Sequence, residues 1–363
     1  MENTVHTHLL DAFQRFERLL PNYARTGIFS PSAQQYIVGR SGNYRPAAQV
    51  IARRQETADT ISLVIQTPAD FPTFRAGQYI DVAVQIRGVR HVRQYSITSP
   101  QGDSALRITI KRQSGGLVSG YLHEKATEGT TVEISQPKGD FVLPQKPFGS
   151  YVFCSAGSGI TPVFAMVQKL LAENTQSPIH LLHAARSEEA IIFRAELEHL
   201  AEKHANFFPH FFLSEASDFQ KRRLNAVGAF SLLGTEHETA ASAVFLCGPG
   251  EFVRDLETAF RDRGYSHIAT EYYSLPATSS TEEGTVQFVR SGIEVNANGN
   301  LLEAAEAAGL EPKHGCRRGI CHECKAHKKT GSVKNILTGQ LTQGEENIQL
   351  CVSQAIGRVE VEM

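Results

Sequence analysis

At 363 residues the chain is longer than one hydrophobic core comfortably fills, so two to four domains of roughly 100 residues each are expected. An apolar fraction of 41%, a charged fraction of 20% and a net charge of -2 describe a folded globular protein with no electrostatic motive for binding nucleic acid. No apolar run approaches the roughly 20 residues that span a bilayer, and the opening MENTVHTHLLDAFQRF lacks the basic-then-apolar order of a secretory signal, so the expected compartment is the cytoplasm.

Residues 1–44 read as an N-terminal helical extension. Within residues 7–20, Leu9, Leu10, Phe13, Phe16, Leu19 and Leu20 fall largely on one helical face, which either docks on the chain's own core or makes a peripheral contact with a membrane-bound partner. Residues 45–148 then alternate apolar and polar positions in short runs, TISLVIQ, YIDVAVQI and LRITIKR, broken by Gly and Pro. That is the pattern of an antiparallel β-barrel. It contains FRAGQYIDV, then RQYSITS from Arg93 to Ser99, then KRQSGGLVSGYL from Lys111 to Leu122.

Taken alone, an Arg and a Tyr alternating on a strand are more often a solvated edge and a core aromatic. The ordered set of motifs, however, resembles the flavin-binding barrel of the ferredoxin-NAD(P)H reductase superfamily, in its R-x-Y-S and G-G-x-x-S forms. The chemistry suits these residue types: a flavin diphosphate wants a guanidinium and N–H donors, and its ring wants an aromatic face and a hydrogen bond near N5. The resemblance implies Arg93, Gln94, Tyr95 and Ser96, with Lys111 and the Gly115, Gly116, Leu117, Val118, Ser119 turn, as flavin contacts. The turn opens a helix expected over Ser119 to Lys125, whose N-terminus can receive phosphate. The resemblance is closer to the FAD-containing reductases with a C-terminal ferredoxin domain than to the FMN-containing phthalate dioxygenase reductase type, so FAD is expected.

Residues 149–275 change texture. Apolar strands such as YVFCSA, IHLLHAA and AVFLCG alternate with helical stretches, VFAMVQKLLAEN and AELEHLAEKH, a rhythm that implies a parallel α/β sheet. The first strand runs into AGSGITP, a glycine turn ahead of a helix; its likeness to the superfamily's G-x-G-I-T-P turn implies Gly157, Gly159, Thr161 and Pro162 as pyridine-nucleotide contacts. FLCGPGEFV similarly carries over Cys247, Gly248 and Pro249 beside the nicotinamide. Cys247 is not expected to be a nucleophile, and Cys154 has only a packing role, since a buried strand-end Cys is usually inert. TEYYSLP implies Glu271 near the nicotinamide and Tyr273 over the flavin, where relatives often carry Phe. With Ser96 and Cys247, these two residues are the expected surroundings of hydride transfer. Arg186 with Ser187, and Lys221, Arg222 and Arg223, are candidates for a 2'-phosphate or a solvated basic surface; NADPH is the favoured coenzyme within NAD(P)H.

A linker is expected at 276–282 and a last domain at 283–363. Of the six cysteines, four fall in this domain with the spacing C-x4-C-x2-C-x26-C: Cys316, Cys321, Cys324 and Cys351. This matches the plant-type [2Fe-2S] ligand pattern, whereas zinc suits neither the x4 spacing nor the flanking Gly315 and Gly319, and Rieske ligation lacks a C-x-H pair. The two glycines can turn backbone N–H groups toward the sulfurs. Two short strands about a Ser-Gly turn over 284–296, a helix over 301–308 and a last strand over 356–361 resemble the β-grasp fold of plant-type ferredoxins. The ligand loop around Arg317, Arg318 and His322 is expected to face an electron acceptor, with Cys351 on a later strand.

The parts imply a converter that takes two electrons from NAD(P)H and delivers them one at a time, with no general base required. The expected acceptor is an oxygenase or a fatty-acid desaturase; a hybrid-cluster or haem protein is the alternative client, and a flavin/cluster redox sensor the alternative role.

Overall fold

The computed structural model describes residues 46–173, 175–215, 224–233, 239–273, 284–314, 317, 319 and 323–363. The expected helix over 7–20, the basic residues Lys221, Arg222 and Arg223, the linker at 276–282, and Cys316, Arg318, Cys321 and His322 lie outside them. The described chain divides into two compact units, one of residues 46–54 and 61–138, the other of 55–60 and 139–363.

The first sheet contains β1 (Ala47–Thr57), β2 (Thr60–Gln66), β3 (Tyr79–Ile86), β4 (Val89–Ser96), β5 (Ala105–Lys111) and β6 (Thr131–Ile134), with helix α1 (Leu117–Lys125) between the last two strands. Their order is β4-β3-β6-β1-β2-β5. An antiparallel bridge between Ile97 and Ile108 and a bond from Thr98 N–H to Arg107 O at 2.7 Å join the end of β4 to β5, closing the sheet into a barrel. Alternation sends Ile61, Leu63 and Ile65 of β2 into the core, where each fully buried side chain contributes about 1.5–3 kcal/mol. Ser62 is buried as well, because its hydroxyl meets Thr109 Oγ1 at 2.8 Å. The β3–β4 turn uses Arg87 and Gly88 at φ 52° and 80°, the two left-handed residues that a tight hairpin matching strand twist demands.

In the second unit, β7 (Ser150–Ala156), α2 (Ile160–Ala172), β8 (Ile179–Ala185), α3 (Arg194–Lys203), β9 (Phe207–Leu213), α4 (Ala226–Leu233), β10 (Ser242–Gly248), α5 (Gly250–Asp262) and β11 (His267–Tyr272) alternate as expected. The strands lie in the order β11-β10-β7-β8-β9, every pairing parallel. Strands β7 and β10 are buried on both faces, which is why they read as continuous apolar runs. From β7 the chain moves to β8 on one side and returns to β10 on the other. That reversal leaves a crevice at the carboxyl ends of β7 and β10, where open α/β sheets bind their ligands.

The same unit contains β12 (Gly284–Phe288), β13 (Ile293–Asn296), α6 (Leu301–Ala307), β14 (Lys325–Asn335), β15 (Leu341–Gln343), β16 (Glu346–Gln349) and β17 (Ser353–Glu362). The sheet order is β13-β12-β17-β14-β15, with β16 also on β14; only β12 and β17 run parallel. Asn300 caps α6 by accepting Glu303 N–H at 2.9 Å. Leu301, Leu302 and Ala305 of that helix join Val286, Phe288 and Val359 in one core. This is the expected β-grasp arrangement, with the last strand longer at both ends than the 356–361 run suggests.

Candidate flavin, nucleotide and cluster sites

On β4, Arg93, Gln94, Tyr95 and Ser96 pair with Val82, Asp81, Ile80 and Tyr79 of β3. Tyr95 packs against the barrel core, and burial raises its phenol well above the ordinary range, only partly opposed by the Arg93 charge. The exposed Arg93 guanidinium donates to Val92 O at 2.8 Å, leaving further donors for an anion. Gln94 Nε2 donates to Asp81 Oδ1 at 3.4 Å, while Ser96 is buried at the end of its strand.

Helix α1 begins at Leu117, two residues earlier than the sequence suggests. Gly115 is left-handed at φ 68° and Gly116 serves as an extended N-cap with no side-chain cap bond. A Cβ on Gly116 would meet Ser119 Oγ at 2.5 Å and Gln113 Cβ at 2.8 Å, so only glycine fits this turn. Ser119 Oγ is engaged within it, accepting from Gln113 N–H at 3.1 Å and donating to Gly116 O at 3.3 Å. Val118 directs its side chain into the core. What the turn offers a diphosphate is therefore the uncapped backbone N–H groups opening α1 and the positive end of the helix, with Leu117 exposed beside them and Lys111 ending β5. These groups fit a flavin phosphate.

In the crevice of the parallel sheet, Gly157–Gly159 form a tight helical turn leading directly into α2. Gly157 has φ 55°. A Cβ on Gly159 would lie 2.2 Å from Cys247 O and 2.8 Å from Cys247 C, so the turn presses on the end of β10 with no room for a side chain. Thr161 Oγ1 donates to Ser158 O at 2.9 Å, and Pro162 occupies the first turn of α2, where its missing N–H is harmless. Pro249 caps α5 just after Cys247 and Gly248.

The structure brings Glu271 and Tyr273 to the same place. Glu271 belongs to β11, opposite Cys247 in register, and accepts a long bond from Cys247 Sγ at 3.7 Å. Tyr273, one residue beyond the strand, donates its N–H to Gly248 O at 2.8 Å and its hydroxyl to Ser158 O at 2.6 Å, with Thr161 Oγ1 at 3.1 Å. Burial, reinforced by the neighbouring Cys247 and Glu271, holds that phenol far above its usual range. Arg186 follows β8, remote in sequence from this cluster, and is exposed; its Nε is 3.8 Å from Glu215 Oε1. Sequence reading missed Glu215 because nothing near Arg186 announces it. An exposed pair at that distance is worth only about 0–1 kcal/mol, so the guanidinium can be surrendered to a phosphate.

Of the four ligand candidates, Cys324 and Cys351 are described. Both are buried, with their sulfurs 3.2 Å apart, close enough to share one metal ion. Gly319, at φ 78°, donates its N–H to Cys351 Sγ at 3.2 Å, as its place in the motif suggests. A Cβ there would strike Val352 Cγ1 at 2.8 Å. Cys351 does not lie on a strand: it occupies a short helical turn, Leu350–Val352, between β16 and β17, which lets its sulfur leave the sheet plane. Gln349, unforeseen from the sequence, donates Nε2 to Gly319 O at 2.9 Å. The exposed Arg317 guanidinium is engaged by Glu306 of α6. Two converging buried thiols with an N–H donor on one sulfur fit an iron-sulfur cluster.

Comparison with known families agrees with this order of sites. The family described as an oxidoreductase FAD-binding domain matches residues 47–143, the oxidoreductase NAD-binding domain residues 153–258, and the 2Fe-2S iron-sulfur cluster binding domain residues 285–355. The chain is 32% identical over 318 residues to an NADPH oxidoreductase of Mycobacterium tuberculosis, covering 85% of this chain and 82% of that one. It is 28% identical over 354 residues to the glycine betaine monooxygenase reductase subunit of Pseudomonas aeruginosa, covering 88% and 96%. Phthalate dioxygenase reductase has the same fold, with a TM-score of 0.63 at 23% identity over 91% of this chain and 99% of that one. Among the described residues no helix is long and apolar enough to cross a membrane. FAD, NAD(P)H and a [2Fe-2S] cluster are the cofactors of this NAD(P)H-dependent oxidoreductase. The chain belongs to the ferredoxin-NAD(P)H reductase superfamily, in the branch whose flavoproteins carry a C-terminal plant-type [2Fe-2S] ferredoxin domain.

Proposed function

We propose that this protein is the reductase component of an oxygenase system, taking electrons from NADPH and delivering them singly to a separate oxygenase. The observation that carries the reading is the combination, in one chain, of a nucleotide crevice, a flavin-type glycine turn and a pair of converging buried thiols. Support for the client comes from the relatives named as reductase subunits of monooxygenases. Bound flavin would accept a hydride's two electrons and release them one by one to the cluster.

The remaining roles belong to this chain's own residues. Gly157, Gly159 and the start of α2 would hold the pyrophosphate by backbone N–H groups, and Arg186 would take the 2'-phosphate. Glu271 and Cys247 would orient the nicotinamide, Cys247 through its small size and Glu271 as a hydrogen-bond acceptor, while Tyr273 would pack over the flavin. No proton needs to move for hydride transfer, so none of these groups serves as an acid or base. Arg93, Tyr95, Ser96 and the Gly115–Ser119 turn would hold the flavin, and Cys316, Cys321, Cys324 and Cys351 the cluster. Operation in the cytoplasm is part of the same proposal, supported by the use of four of the six cysteines as proposed cluster ligands, which suits a reducing compartment.

Purified protein should show flavin and [2Fe-2S] absorption together, reduce cytochrome c with NADPH, and support turnover of an oxygenase encoded beside it. Substrate oxidation that proceeds equally well without the reductase would refute the oxygenase assignment. A kcat/KM for NADH equal to or above that for NADPH would refute the coenzyme choice.

A further inference from the structure

We infer that Glu306, outside the cysteine motif, is a positioning residue for the iron-sulfur cluster, holding the ligand loop to α6 through Arg317 and balancing that cation beside the metal. The inference rests on the reading of Cys316, Cys321, Cys324 and Cys351 as ligands.

Arg317 directly follows Cys316 and has φ 58°, a left-handed conformation that is strained for a residue with a Cβ. Its side chain ties that backbone down. Nη1 donates to Glu306 Oε2 at 2.8 Å and Nη2 to Glu306 Oε1, the two-pronged geometry in which an Arg–carboxylate pair is strongest. Nη2 also lies 3.0 Å from His314 Nε2, whose Nδ1 is 3.0 Å from Pro312 O. The pair is partly shielded from water, with side chains 44% and 28% exposed, so it is screened less than a free surface ion pair. Two residues on, Gly319 is fastened by its N–H to Cys351 Sγ and by its carbonyl to Gln349. The ligand loop is thus tied to the domain at residue 317 as well as at residue 319.

Reduction adds an electron to the cluster, so a nearby cation favours the reduced form and a nearby anion the oxidised form. Paired, Glu306 and Arg317 largely cancel. Removing one leaves the other uncompensated, and the two removals must push the potential in opposite directions. Mere loosening of the loop has no reason to do so.

The test uses the full-length holoprotein as E306Q, R317Q, the charge swap E306R/R317E, and E303Q as a control on the exposed side of the same helix. Iron loss to a chelator and the cluster midpoint potential are measured for each. E306Q and R317Q should both lose iron several-fold faster, E306Q with a raised potential and R317Q with a lowered one, while the swap recovers slow loss and E303Q matches wild type. Wild-type iron retention in both single variants, potentials that move the same way, or an E303Q effect equal to that of E306Q would each overturn the inference. A wild-type chain that binds no iron is a different failure, which refutes the ligand assignment and takes the clamp with it.

Discussion

Gly159→Ala should cripple hydride delivery without touching the flavin or the cluster. The added methyl would stand 2.2 Å from Cys247 O, where real contacts do not fall below 3.0 Å, so the glycine turn and the end of β10 must part by most of an ångström. The obstacle is backbone, in a strand paired on both sides, and no side chain can swing away. Overpacking of this kind costs about 1–3 kcal/mol, and a displacement of roughly 1 Å at a positioning element can slow a reaction by about 10²-fold. Gly157→Ala is the internal comparison: nothing lies within 4 Å of its Cβ, so only the left-handed backbone penalty of about 1–2 kcal/mol applies. Anaerobic stopped-flow reduction of the flavin by NADPH measures the step directly, with chemical reduction by dithionite as a control for the downstream centres. A flavin reduction rate in Gly159→Ala within about twofold of wild type, or a larger effect in Gly157→Ala, would refute the reasoning.

Lys328 is fully buried, with Nζ 2.8 Å from Glu346 Oε1 and bonded to Gly331 O and Thr342 O. Glu346→Gln strands that cation and should destabilise the ferredoxin domain by about 3 kcal/mol in urea melts, whereas Lys328→Met should cost less because Glu346 can reach water; the reverse order would contradict this. Hydrogen bonds from Lys328 and then Thr342 hold the Glu346 carboxyl below its usual range. Its stabilising contribution is therefore present above the ordinary carboxylate pKa and lost as pH falls through the depressed one, and Lys328→Met should flatten that acid limb of the stability curve. Gly319→Ala should shorten cluster lifetime under chelator, since it combines a left-handed φ, a 2.8 Å clash with Val352 and disturbance of the bond to Cys351; unchanged visible absorption over the same hours would contradict it. Tyr273→Phe removes a hydroxyl donated to Ser158 O at 2.6 Å and should lower the thermal midpoint by an amount equivalent to about 1 kcal/mol, with no shift meaning that water replaces the lost bond.

Local pattern carried most of the architecture. TISLVIQ alternates because one face of β2 lines a barrel, and AVFLCG does not because β10 is covered on both sides, so period alone separated the two kinds of sheet. The Cys spacing and Gly319 were readable because a cluster loop demands them at fixed offsets. Features that depend on partners distant in sequence were not readable: the need for glycine at 159 is set by the Cys247 carbonyl, and the fate of Arg317 by Glu306 on a preceding helix. The start of α1 was placed too late, at Ser119, because two glycines read as turn; Gly116 is the N-cap and the Ser119 hydroxyl braces Gln113. Cys351 was assigned to a strand because QLCVSQA is apolar enough for one; a short turn there frees the sulfur from the ladder.

The parallel pairing of Val286 with Val359 has a consequence for the order in which a cell can make this protein. Strands β1 to β11 are complete in themselves before β12 emerges, but β12 has no neighbour on that side until β17 is synthesised. Chains elongate at about 5–20 residues per second, so Cys324 waits on the order of seconds before Cys351 exists to face it. With Cys351 among the proposed ligands, cluster insertion must therefore be a late event, acting on a chain whose nucleotide sheet has already been synthesised.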